Sequence, residues 1–256
     1  MQAPALDTTL RRDRSLVIVA LLVITALSLT YTVWLATEYD MSSMMTPGFV
    51  PWSPGHFAFM LAMWVVMMIG MMTPSVAPTV LLYAALARQR IVRGGPFAAA
   101  GWFVAGYLLA WILFSAVATL LQWLLEWQAL VSPMMAGTGA ALGGTLLIVA
   151  GIYQWLPLKQ ACLSTCRAPM SFVQRHGGFQ TSARGSVKLG ALHGFYCVGC
   201  CWAVMALLFA FGVMNLLWIG GLMIFVLLEK MLPYQRAMSR TAGAVAVIVG
   251  ALMIAR

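Results

Sequence analysis

Apolar residues in this chain gather in seven long runs, at 15–36, 57–87, 97–121, 134–156, 189–211, 216–232 and 241–255, and most polar and charged residues fall between them. Each run is near the roughly 17–25 residues that a membrane-spanning helix needs. The pattern predicts an all-α fold: a polytopic transmembrane helical bundle of about seven spans, or six if the last and shortest run lies in the interface. Arg11, Arg12 and Arg14 precede the first run as they would a secretory signal. Its length of about 20 residues exceeds the roughly 7–15 of a signal core, and no small-residue cleavage site follows, so it reads as the first span.

Composition sharpens this reading. Hydrophobic residues make up 62% of the 256 positions and charged residues 8%, far from the mix of soluble domains. No fixed-period repeat or low-complexity linker divides the chain, so residues 1–256 read as a single integral membrane domain, with 157–186 as its longest loop.

The net charge of +9 is then a question of placement. With the N-terminus cytoplasmic, the inner segments hold fourteen of the fifteen basic residues, and only Arg256 falls outside. The outer segments keep Glu38, Asp40 and Glu126. The positive charge is therefore an orientation signal with some attraction to anionic lipid headgroups, and nucleic acid is not expected as a partner. The 157–186 loop falls on the cytoplasmic side.

Three polar features interrupt the runs. Pro74 and Pro78 in "MMTPSVAP" predict a break in the second span, because proline removes a backbone donor. Glu229 and Lys230 in "LLEKMLP" read as an interfacial anchor, with the lysine snorkelling and the glutamate wet. Asn215 reads as a turn residue.

The candidate chemistry lies in the fifth run. "HGFYCVGCCW" (193–202) places His193, Cys197, Cys200 and Cys201 within roughly a 100° arc of one helix face. Gly194 and Gly199 would let another helix come close. One helix rarely closes a coordination sphere, and the second contributor is "CLSTC", whose Cys162 and Cys166 would aim two sulfurs one way on a helix or turn. All five cysteines fall in this stretch, unlike the spread of a secreted disulfide framework. Soft thiolate and imidazole donors suit copper(I) first, with zinc as the second choice.

A second set is methionine. Met60, Met67 and Met71 lie within about 40° of one another on a helix, with Met63 beside them. Thioethers bind copper(I), so these residues, with His56, Met41, Met44 and Met45 upstream, form a candidate ion path from outer methionines to inner thiols. Methionine at this spacing also serves as ordinary core. The sequence has no glycine-rich phosphate loop, no HExxH and no serine nucleophile elbow, so nothing argues for a kinase or hydrolase.

The blocks "MMIGMMTPSVAPTVLLYA" (67–84), "YQWLPLKQACLSTCRAP" (153–169), "HGFYCVGCCWAVM" (193–205) and "LLEKMLP" (227–233) resemble a bacterial family of predicted metal-binding integral membrane proteins, grouped as a domain of unknown function. The resemblance implies a multi-pass protein of the bacterial inner membrane, with Cys162, Cys166, His193, Cys197, Cys200 and Cys201 as metal ligands. Three functions follow in order. The first is a protein that transports, delivers or senses a soft metal such as copper, with the lipid bilayer around it and a metallochaperone or membrane subunit as partner. The second is a thiol–disulfide or quinone-linked redox protein, which the reducing cytoplasm disfavours. The third is a non-catalytic subunit of a larger complex. Oligomeric state is not fixed by the sequence.

Overall fold

The structure is a computed structural model that describes residues 3–38, 52–92, 100–128, 139–180, 182–213 and 215–255. Met41, Met44, Met45, Asp40, Arg93 and Arg256 lie outside the described residues. Nine helices are formed among the described residues, and no strand. They are α1 (Ala3–Glu38), α2 (Pro54–Val92), α3 (Ala100–Trp127), α4 (Ala140–Tyr153), α5 (Pro157–Arg167), α6 (Pro169–Arg175), α7 (Ala183–Phe211), α8 (Leu216–Met231) and α9 (Gln235–Ile254).

Five helices are long and apolar enough to cross a membrane, and a sixth span results if α4 and α5, bent by 66°, count as one. The last run, shortest in the sequence, belongs to a helix of 20 residues that is among the five. At 16 residues α8 is shorter than the roughly 20 of a typical span.

The 157–186 segment is largely helical. Pro157 and Pro169 each occupy the first turn of a helix, where a missing N–H costs nothing, and so start α5 and α6. The expected break at Pro74 is absent, since α2 runs unbroken through Pro74 and Pro78. Hydroxyl donors gather on the carbonyls there. Thr73 Oγ1 donates to Ile69 O at 2.6 Å, and Ser75 Oγ and Tyr107 Oη donate to Met72 O at 2.8 and 3.2 Å. These bonds fall beside the prolines; the carbonyls that Pro74 and Pro78 deprive of an amide partner are those of Gly70 and Pro74.

Helix α7 is the central element, packed against α3, α4, α5 and α8. Glycines set its contact with α3. A methyl group at Gly194 would stand 2.6 Å from Ala110 Cβ, and one at Gly190 would overlap the Phe103 carbonyl. Backbones this close are a feature of apolar helix pairs with small residues at the crossing. Helix α7 ends at Gly212, whose φ of 95° suits glycine, and Asn215 caps α8 by accepting from the amides of Leu217 and Trp218. The outward surface is apolar, with Leu22, Val117, Leu217 and Leu252 all more than half exposed.

The interior holds a charged junction. Lys159 Nζ donates to both Glu229 oxygens, at 2.7 and 2.9 Å, and to Gln154 Oε1, while Ser239 Oγ donates to Glu229 Oε1 at 2.6 Å. Lys159 is 0% exposed and Glu229 1%. Four helix segments meet here, with Gln154 at the end of α4, Lys159 on α5, Glu229 on α8 and Ser239 on α9. The expectation of a wet, interfacial Glu229 is thereby overturned: helices close over the end of α8, and the carboxylate takes donors from α5 and α9.

Breaking a buried pair leaves an uncompensated charge and costs about 3–5 kcal/mol, whereas replacing both partners by apolar groups can be neutral. Lys159→Met alone should therefore lower the thermal midpoint of the detergent-solubilised protein, and Lys159→Met with Glu229→Met should recover most of the loss. Equal midpoints for the single variant and the parent would refute the role of the pair.

Candidate metal centre

Cys197, Cys200 and Cys201 lie on the buried face of α7, each 1% exposed. Because Cys200 and Cys201 follow Cys197 by three and four residues, both thiols fold back over the same backbone carbonyl. Each donates to Cys197 O at 3.0 Å. The three sulfurs lie within 4.8 Å of one another. An ion bound to three sulfurs at about 2.3 Å would space them about 4.0 Å apart, so a small closure of this group suffices.

The α5 cysteines meet this group. The Cys166 thiol lies close enough to Cys197 and Cys200 to interact with both. Cys162 rests on Gly199, where a methyl group would stand 2.9 Å from its Sγ. The glycine named from the sequence as permitting a close neighbour thus receives a sulfur of α5. Tyr153 Oη donates to Gly199 O and ties the end of α4 to the same point.

His193 sits one turn before Cys197 but outside the tight sulfur group. Its Nε2 is 3.4 Å from Thr79 Oγ1, and its ring packs on Phe172, Phe103 and Tyr107 at centroid distances of 4.9, 5.9 and 6.1 Å. It is 2% exposed, and its Nδ1 has no hydrogen-bond partner among the described residues.

Lys230 is the residue that sequence reasoning misplaced. Rather than snorkelling outward, its Nζ donates to Cys197 Sγ and to Ser75 Oγ, both at 2.9 Å. Tyr107 Oη lies 3.2 Å from the same sulfur. Cys197 is thus held by an ammonium and a phenol, from α8 and α3. The signal that could have found Lys230 was its place within an apolar run, where an ionisable side chain faces the interior more often than lipid. Tyr107 and Ser75 gave no such signal.

The candidate path residues are also interior. Met60, Met63, Met67 and Met71 are each 1–2% exposed and belong to the same buried cluster as the cysteines. Met60 Sδ is 4.0 Å from the Gln122 amide nitrogen. His56, half-buried in the first turn of α2, meets Trp52 edge-on at 4.9 Å.

Helices around a buried group of thiols, with apolar spans outside, have the make-up of a protein that handles a soft metal. A family model described as copper chaperone, PpoB2, matches residues 61–253, and the chain belongs to that family. No curated protein and no solved structure matches.

The adjacency of α5 and α7 sulfurs has a direct check. Mild chemical oxidation should join Cys166 to Cys197 or Cys200, visible by peptide mapping and lost in Cys166→Ser. Disulfides confined to other pairs would contradict this placement.

Proposed function

We propose that this chain is a membrane-embedded copper chaperone that holds copper(I) among Cys197, Cys200 and Cys201 and hands it to a partner. Cys166 is the adjoining fourth donor, and Cys162 and His193 are flanking donors through which the ion arrives or leaves. The observation that carries the reading is the group of three buried sulfurs with the Lys230 ammonium 2.9 Å from one of them. Copper(I) with three thiolates is a dianion, unfavourable in a dry interior, and a fixed ammonium offsets half of that charge. The family description agrees with the metal.

In this reading the protein sits in the bacterial inner membrane as a multi-pass bundle of about seven spans, with α8 completing the count. Residues 1–256 form one domain, the N-terminus is cytoplasmic, and 157–186 faces the cytoplasm. The placement of basic residues and the apolar outer surface support this. Met60, Met63, Met67 and Met71 line a route for copper(I), and the recipient is a metallochaperone or a membrane subunit. Zinc is the competing ion, because thiolates also bind it. The Cys166 contact favours one further reading, thiol–disulfide exchange, in which oxidant rather than metal would act on the same sulfurs.

Elemental analysis of the purified protein after loading with copper(I) and zinc separately should show a copper equivalent that depends on the thiol group. Cys197→Ser with Cys200→Ser should remove that equivalent while helicity is retained. Lys230→Met, which leaves every sulfur in place, should weaken copper(I) binding by about 10–100-fold, the usual cost of removing a partner that orients a metal ligand. Negligible copper in the parent would refute the reading, and preferential retention of zinc would change the metal.

A further inference from the structure

The end of the bundle remote from the cysteines holds a second group of donors. Glu126, in the last turn of α3, is 6% exposed. Trp52 Nε1 donates to its Oε2 at 2.9 Å and Gln122 Nε2 to its Oε1 at 3.0 Å, both neutral donors. The sequence has no Lys or Arg between Arg14 and Arg88, between Arg93 and Lys159, or between Lys188 and Lys230. The connections α1–α2, α3–α4 up to α5, and α7–α8 therefore cannot supply a basic counter-charge. Trp52, the residue that donates to this carboxylate, meets the His56 ring at 4.9 Å and so places the imidazole next to it. Among the described residues Glu126 has no ion-pair partner, and an unpaired buried acid inside an apolar bundle is expensive and marks a functional position.

The neighbours of Glu126 are metal donors. Met60 follows His56 by one turn on α2 and is 1% exposed. The Gln122 amide links it to the carboxylate: Nε2 is 3.0 Å from Glu126 Oε1 and 4.0 Å from Met60 Sδ, while Oε1 accepts from Trp64 Nε1 at 2.7 Å.

We propose that His56, Met60 and Glu126 form a second metal site that receives a monovalent soft cation at this end of the bundle. Imidazole and thioether are neutral donors, so a copper(I) ion held by them is a cation, and the Glu126 carboxylate makes the assembly neutral. A divalent ion would leave a net positive charge in a dry setting. Nineteen residues separate Tyr107, beside Cys197, from Glu126, which is about 28 Å along α3. That is close to the roughly 30 Å of a bilayer core, so the two groups stand at opposite faces of the proposed membrane protein. The site rests on the copper reading only for where the ion goes next, since capture depends on these three residues alone.

Silver(I), a redox-inert stand-in for copper(I), tests this with full-length protein in detergent, counted by elemental analysis after desalting. The parent should retain two equivalents, and a variant with all five cysteines changed to serine should retain one. His56→Ala with Met60→Leu should remove one equivalent from the parent and the remaining one from the cysteine-free chain. The isosteric Glu126→Gln should weaken it by about tenfold or more. One equivalent in the parent and none in the cysteine-free chain would overturn this site and leave the thiol reading standing. One equivalent in both, lost with His56→Ala and Met60→Leu, would support this site and overturn the thiol reading. Retention of both equivalents by the His56→Ala, Met60→Leu parent would also overturn it, whether or not the cysteine-free chain folds.

Discussion

Two adjacent charges on α8, Glu229 and Lys230, tie the cysteine-bearing helices together. Successive residues on a helix point about 100° apart, so one side chain cannot follow the other into the same pocket. Glu229 takes the buried Lys159 of α5, and Lys230 takes Cys197 of α7 and Ser75 of α2. Lys159 lies three residues before Cys162 and seven before Cys166, on the same face of α5. The ion pair therefore sets the rotation of α5 that turns its sulfurs toward α7. Removing an ion from water costs several kcal/mol even after relaxation, so such a pair survives in an apolar interior only with nearly all its hydrogen bonds made. Lys159 has three acceptor contacts and Glu229 receives donors from Lys159 and Ser239.

Close helix approach supplies the remaining precision. Gly190 and Gly194 bring α7 against the backbone of α3, which is how Tyr107 reaches both Met72 O and Cys197 Sγ. Gly199 leaves room for the Cys162 sulfur of α5. A side chain at Gly190 or Gly194 would push α7 and α3 apart by more than a hydrogen bond tolerates, so the thiol group depends on the glycines of this crossing as well as on its donors.

Much of this was legible in the sequence, for identifiable reasons. The apolar runs announced the long helices, and the three- and four-residue spacing after Cys197 announced a shared face, because both follow from local periodicity. Asn215 is a local signal of the same kind, whereas Pro157 and Pro169 start helices in a segment that read as a loop. The meeting of α5 with α7 was expected from ligand counting but could not be derived, since it depends on a 66° bend and a distant ion pair. Glu229 and Lys230 were misread because their position near the end of an apolar run fits snorkelling equally well; only the helices packed over them decide. Pro74 was misread for a related reason, because a proline-bearing helix can run on where neighbouring helices pack around it, and local sequence does not show those neighbours.

Charge explains why the donor types differ between the two ends of the bundle. In an apolar interior the net charge of a complex matters as much as ligand softness, because each uncompensated charge is costly to bury. Thiolates around a monovalent ion make an anion, and the chain places an ammonium beside Cys197. Imidazole and thioether around the same ion make a cation, and the chain places a carboxylate beside Met60 and His56. Between them, α2 presents buried methionines, whose neutral sulfurs neither trap a monovalent ion by charge nor repel it. On the proposed reading an ion moving from the Glu126 end to the Lys230 end exchanges one neutralised environment for another. The thiolates, being the stronger donors, give that exchange its direction.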